Sequence, residues 1–196
     1  MNKEKIKKYL DELKNTVVSA DLNYQIWWVY KGPLRKKYVD VLNNYLHFFK
    51  VSIHAHFVAL IIALYRLYER KGNEDTIDFH DTVKLFKKEN ILNLEKLKLI
   101  NEKVESEKEI WIKVSVLRNE CFGHLNKNVI NNELESFKKA KVTPDDLKKL
   151  ISYSKHILNK LASEFGRFSY AFNLSAEDDT IRLLDDLLEE VRYIYY

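Results

Sequence analysis

Four glycines and two prolines in 196 residues leave few of the breakers that a turn-rich sheet protein uses. That scarcity favours long helices. The single cysteine, Cys121, rules out an intrachain disulfide framework and any cysteine-cluster zinc site, and it is compatible with a reducing compartment. The opening MNKEKIKKYLDELK is charged throughout, whereas a secretory signal needs an uninterrupted apolar stretch there, so a cytoplasmic protein is expected. The most apolar run, FVALIIALY from Phe57 to Tyr65, is too short by itself to span a bilayer and is bracketed by His54, His56, Arg66, Glu69 and Arg70. It reads as a core helix, with no membrane partner. Neither a glycine-rich phosphate loop nor a helical His-Glu-x-x-His occurs, which argues against P-loop and zinc-protease chemistry.

What is present fits one folded unit, residues 1–196. Hydrophobic residues make up 46% and charged residues 32%, which excludes a wholly disordered chain, and the length suits a single core. The expected fold is all-α, a helical bundle with additional short helices. Net charge is +4, and basic residues recur beside aromatics in RKKY (Arg35 to Tyr38), KLFKK (Lys84 to Lys88) and SFKKAK (Ser136 to Lys141). Such interleaving suits a phosphate backbone with bases stacked on rings, but lysines flanking core aromatics on amphipathic helices give the same pattern.

Caps and breakers divide the chain. A first helix from about Lys3 to Tyr30 stops at Gly32-Pro33, and a second runs from about Arg35 through the apolar stretch to Arg70, ending at Gly72. Asp78 with Asp81 opens a short helix through Lys88. Asn93 caps a long one carrying Leu94, Leu97, Ile100, Val104, Trp111, Val114 and Leu117 at helical spacing. Thr143-Pro144-Asp145-Asp146 is the strongest start signal, with Thr143 as cap and Pro144 in the first helical position of a helix reaching about Phe165. Ser175, followed by Glu177, Asp178 and Asp179, opens the last helix, whose Leu183, Leu184, Leu187, Leu188 and Val191 form an apolar stripe.

The chemically pointed stretch is LRNECFGHLNK, Leu117 to Lys127, at the end of the long helix. Gly123 suits the left-handed turn just past a helix end. On an uninterrupted helix, positions six apart point roughly 120° away from each other, so the break is what brings His124 back toward Arg118. The partial negative charge of a helix C-terminus favours protonated histidine. Metal-free RNA cleavage needs a base for the 2′-hydroxyl, an acid for the leaving 5′-oxygen and a cation beside the phosphorane, roles that histidine and arginine supply. One chain offers one of each, so a two-fold dimer is the natural way to build the composite site. The same residues also admit a purely structural reading: Arg118 snorkelling, Asn119 in a local hydrogen bond, His124 as a charged cap.

The order Arg118, Asn119, four residues, His124 at the end of a long helix in an all-α chain of this size resembles the motif of the HEPN superfamily. The likeness is greatest to HEPN proteins of the abortive-infection type. That resemblance implies a metal-independent endoribonuclease acting on RNA as a homodimer, commonly a toxin in anti-phage defence or toxin–antitoxin systems, with Arg118 and His124 catalytic and Asn119 supporting. It implies no cofactor and leaves an antitoxin protein as a partner. His124-Leu125-Asn126 departs from the variant in which a tyrosine two residues after the histidine is modified by a nucleotidyltransferase antitoxin. Some members of the superfamily only bind nucleotides or RNA, so a non-catalytic module whose acidic last helix docks a partner stands as the alternative.

Other candidates are weaker. His54 and His56 lie about 200° apart around a helix, and His47 and His54 share a face but stand too far apart to chelate one ion. Cys121, three before His124, invites a thiol nucleophile, but a buried cysteine on the motif helix fits better. Arg66, within LIIALYRLYE, is a guanidinium in an apolar helix; pairing with a carboxylate is the first reading and lining an RNA cleft the second.

Overall fold

A computed structural model describes residues 3–69, 76–119 and 139–195, the side chains of 194 and 195 excepted. Helix α1 (Lys3–Lys31) buries Ile6, Leu10, Leu13, Val17, Ala20 and Tyr24, alternating spacings of four and three that draw one apolar seam along the helix. Gly32 is extended and Pro33 starts a 3-10 turn (Pro33–Tyr38), followed by α2 (Val39–Asn44) and α3 (Leu46–Leu67). Tyr30 meets Phe49 edge-on at 5.4 Å between ring centroids and Trp27 stacks on Phe57 at 5.0 Å, so α3 runs antiparallel to α1. The expected single helix from Arg35 to Arg70 is therefore interrupted, its last residue lying outside the described residues together with Gly72. The interruption at Tyr45 (φ −111°, ψ 40°) has a physical reason. It turns Phe49 into a second cluster with Val29, Tyr30, Tyr38, Val41 and Leu42 rather than along the main core.

The apolar run from Phe57 to Tyr65 lies inside the 22-residue α3, which by length and composition is long enough to cross a membrane. Its Leu60, Ile61, Leu64 and Leu67 are fully buried in the core formed with the α1 seam. Arg66 does not enter that core. It is exposed, on the outward side of the last turn, so no burial forces a carboxylate partner on it.

Asp78 caps α4 (Phe79–Lys88) by accepting from the Asp81 N–H at 2.9 Å, and Asn93 caps α5 (Leu94–Ser106) through the Lys96 N–H. The long helix expected from Asn93 to Leu117 breaks at Glu107 (φ −102°, ψ 20°), after which α6 (Lys108–Leu117) begins. Glu107 is buried, with its carboxylate 2.9 Å from Lys149 Nζ. The break points Ile110, Val114 and Leu117 into the main core. Thr143 then opens α7 (Pro144–Gly166) with a reciprocal capping box to Asp146, and α8 (Ala176–Tyr195) closes the second cluster with Leu184, Leu188 and Val191. Lys155–Asp21 and Tyr170–Asp11 contacts show α7 and the chain after it running antiparallel to α1. The architecture is all-α, as expected, with no strand among the described residues.

The Asp78 cap has a pH signature. Burial, with the nearby Asp81 charge adding to it, pushes its carboxyl up from 3.8 to about 7, against the pull of the backbone N–H groups. A carboxyl that binds its proton more tightly folded than unfolded favours folding at low pH, and that contribution is lost as the pH rises through about 7. Asp78→Asn keeps an oxygen for the Asp81 N–H but cannot ionise. Relative to the parent, its melting temperature is expected to rise steadily as thermal unfolding is followed from about pH 4 to about pH 8. A parent-to-variant difference that stays flat over that range would rule out the buried acid.

Candidate active site

The end of α6 is assembled from residues far apart in sequence. Arg118 remains in right-handed helical geometry (φ −58°, ψ −46°), its N–H reaching back to the Ser115 and Val114 carbonyls, and the backbone loosens into a π-turn through Asn119. Such wide turns concentrate where a helix must re-aim a side chain. The Arg118 guanidinium carbon stands 4.7 Å from the centroid of the Tyr65 ring, presented by α3. One guanidinium N–H donates to Asn119 Oδ1 at 2.8 Å, and Asn119 Nδ2 in turn donates to Ser115 Oγ at 3.4 Å. Arg118 is half-buried and Asn119 exposed.

The ring beneath the guanidinium is itself held on two sides. Trp111 stacks against Tyr65 at 6.0 Å with 21° between planes, and its indole N–H donates to the Tyr65 carbonyl at 3.4 Å. The Tyr65 hydroxyl donates to Glu69 Oε1 at 3.2 Å. Burial first, then the Glu69 carboxylate, push the Tyr65 hydroxyl above its ordinary range while Arg118 opposes them, so the phenol stays neutral and its face remains an electron-rich platform for a cation. Trp111 and Arg118, seven residues apart, share one face of α6, a spacing visible in sequence. Tyr65, 53 positions upstream of Arg118, carries no local signal, and neither does Glu69.

Of the residues singled out from sequence, Arg118 and Asn119 are brought together. His124, with Cys121 and Gly123, lies outside the described residues. Arg66 sits beside Tyr65 in the chain but on the exposed side of α3, and it makes no hydrogen bond or ion pair with the described residues of this cluster. His56 has a structural role: its Nδ1 lies 2.8 Å from Asn23 Oδ1 between α3 and α1, and burial lowers its pKa. No group of three or more potential metal ligands occurs among the described residues.

Residues 3–183 fit the family model HEPN_AbiU2, described as AbiU2. No curated protein and no solved structure matches the chain.

The stacking of Arg118 on Tyr65 is directly measurable. Ring-current shielding is expected to move the Arg118 side-chain N–H resonance upfield in the parent and in Tyr65→Phe, and to vanish in Tyr65→Leu. Tyr65→Phe, which loses only the hydroxyl bond to Glu69, is expected to lower stability by about 0.5–1.5 kcal/mol in denaturant unfolding. An Arg118 resonance unmoved by Tyr65→Leu would mean the guanidinium does not rest on the ring.

Proposed function

The chain belongs to the AbiU2 family of HEPN-type abortive-infection proteins, and from that membership we propose that it is a metal-independent endoribonuclease acting as a homodimer in the cytoplasm. The observation that carries the reading is the held guanidinium. Among the described residues Arg118 has no carboxylate partner; an aromatic face and a neutral amide fix it instead, which leaves its charge uncompensated for a phosphate. Asn119 is then a positioning residue, and Arg118 the group that meets the charge developing on the phosphorane.

In the reaction the substrate supplies its own nucleophile. The 2′-oxygen bonds to phosphorus, the bond from phosphorus to the 5′-oxygen breaks, and the products carry a 2′,3′-cyclic phosphate and a free 5′-hydroxyl. His124 of one protomer takes the 2′-proton, and His124 of the other gives a proton to the departing oxygen. Two copies of Arg118 and His124 line one cleft across the two-fold axis. The protein is a toxin on this reading, held in check by an antitoxin or released by infection. Exposed Arg66, on the helix that carries Tyr65, extends the cationic surface toward RNA.

A second reading, that of a non-catalytic partner-binding module, has one observation in its favour: Leu183 is 48% exposed on the otherwise acidic α8. Cleavage separates the two. Purified protein is incubated with structured RNA in excess EDTA, beside Arg118→Ala and His124→Ala. Cutting by the parent alone is expected, each variant falling by at least about 100-fold, with a 2′-deoxy nucleotide at the cut site blocking it. Intact RNA under all conditions would leave the binding module; loss of cutting in EDTA would make this a metal enzyme; a fully active monomer would dispose of the shared cleft.

A further inference from the structure

A cleft of about 580 Å³ opens between α1, α3 and the first turn of α7, away from the described cluster around Arg118. Its apolar body is Trp27 stacked on Phe57, with Ile53 and Leu147 beside them. Lys31 stands one turn beyond Trp27 at the end of α1. Lys50 stands two turns before Phe57, and because the two helices are antiparallel both ammonium groups fall at the same end. Among the described residues neither lysine has an ion-pair partner and no carboxylate lines the cleft. Lys113 and Lys155, by contrast, are matched across helix interfaces by Asp146 and Asp21.

The cavity is thus polar in the directional sense: an aromatic and aliphatic body, then a cationic mouth. From Phe57 to Lys50 is seven helical residues, roughly 10 Å. Apart from the lysines and the Trp27 indole N–H, the polar side chains in the lining are His54 and Thr143, and the Thr143 hydroxyl already caps the Asp146 N–H. A nucleobase needs several directional partners along its edge, and this mainly apolar lining is poor in them. An apolar pocket of this size with a few convergent charges suits a small ligand with an oily body and one anionic end.

We propose that this cleft binds a small amphipathic carboxylate, its hydrocarbon or aryl body on the Trp27–Phe57 pair and its carboxylate between Lys31 and Lys50. The inference is independent of RNA cleavage and is read by binding alone. Decanoate, decanol and AMP are each titrated into the full-length chain while the Trp27 indole N–H resonance is followed. Decanoate is expected to shift that resonance saturably and to bind at least about fivefold more tightly than decanol. The double variant Lys31→Ala, Lys50→Ala changes two exposed side chains outside the core, so it folds; it is expected to weaken decanoate by about the same factor and leave decanol unchanged. Equal binding of decanoate and decanol, no shift at millimolar decanoate, or displacement of decanoate by AMP or by a 2′-deoxy oligonucleotide would each overturn the assignment.

Discussion

The contact on which the rest depends is the seam of α1 against α3. Each fully buried aliphatic side chain in it contributes about 1.5–3 kcal/mol, while the net stability of a whole domain is about 5–15 kcal/mol. Ile6, Leu10, Val17, Leu60, Ile61 and Leu64 are all at 0% exposure, so truncating three of them, at about 2–5 kcal/mol each, removes an amount comparable to the whole net stability. The seam also has a functional consequence. It fixes the rotation of α3 about its axis, and that rotation decides that Tyr65 faces α6 while Arg66, 100° further round, faces solvent. One degree of freedom therefore sets both the platform for Arg118 and the exposure of its neighbouring arginine.

Why an aromatic ring and an amide should hold Arg118, rather than an acid, follows from magnitudes. An arginine side chain carries about 2 kcal/mol of rotamer entropy, and a partly exposed cation–π contact contributes about 0.5–1 kcal/mol. The ring alone does not freeze the guanidinium; the Asn119 bond and the Trp111 buttress narrow it further. A carboxylate would hold it more firmly but would neutralise it. Among the described residues Glu69 lies beside the same ring, and its Oε1 accepts from the Tyr65 hydroxyl while no ion pair joins it to Arg118. The phenol thus takes up the acid on its far edge and offers the cation its face.

Helix starts were legible wherever a side chain caps its own backbone: Asp78, Asn93 and Thr143 each accept the N–H three residues on, an interaction complete within a few residues. The breaks at Tyr45 and Glu107 were not, because no local breaker marks them. Phe49 leaves the line of α1 for a second cluster, and Glu107 is drawn to Lys149, 42 positions away. The exposure of Arg66 was not legible for a related reason: a continuous apolar run conceals which positions point outward until the packing partner is known. At the site, Arg118 and Asn119 stood out as neighbours in the chain. Tyr65 and Glu69 did not, since only the tertiary fold brings α3 beneath the end of α6.

The break at Glu107 and the cap at Thr143 turn out to belong to one arrangement. After the break, α6 carries Lys113 to Asp146, 2.8 Å away, and Asp146 is also the residue that completes the capping box of α7. Burial works against its ionisation, but the bonds from Lys113 and from Thr143 outweigh it and hold the carboxyl below its ordinary range. A single carboxylate therefore ties the helix that ends in Arg118 to the start of the helix that follows the motif. Substitutions at Lys113 or Asp146 therefore bear on the placement of the helix end that carries Arg118.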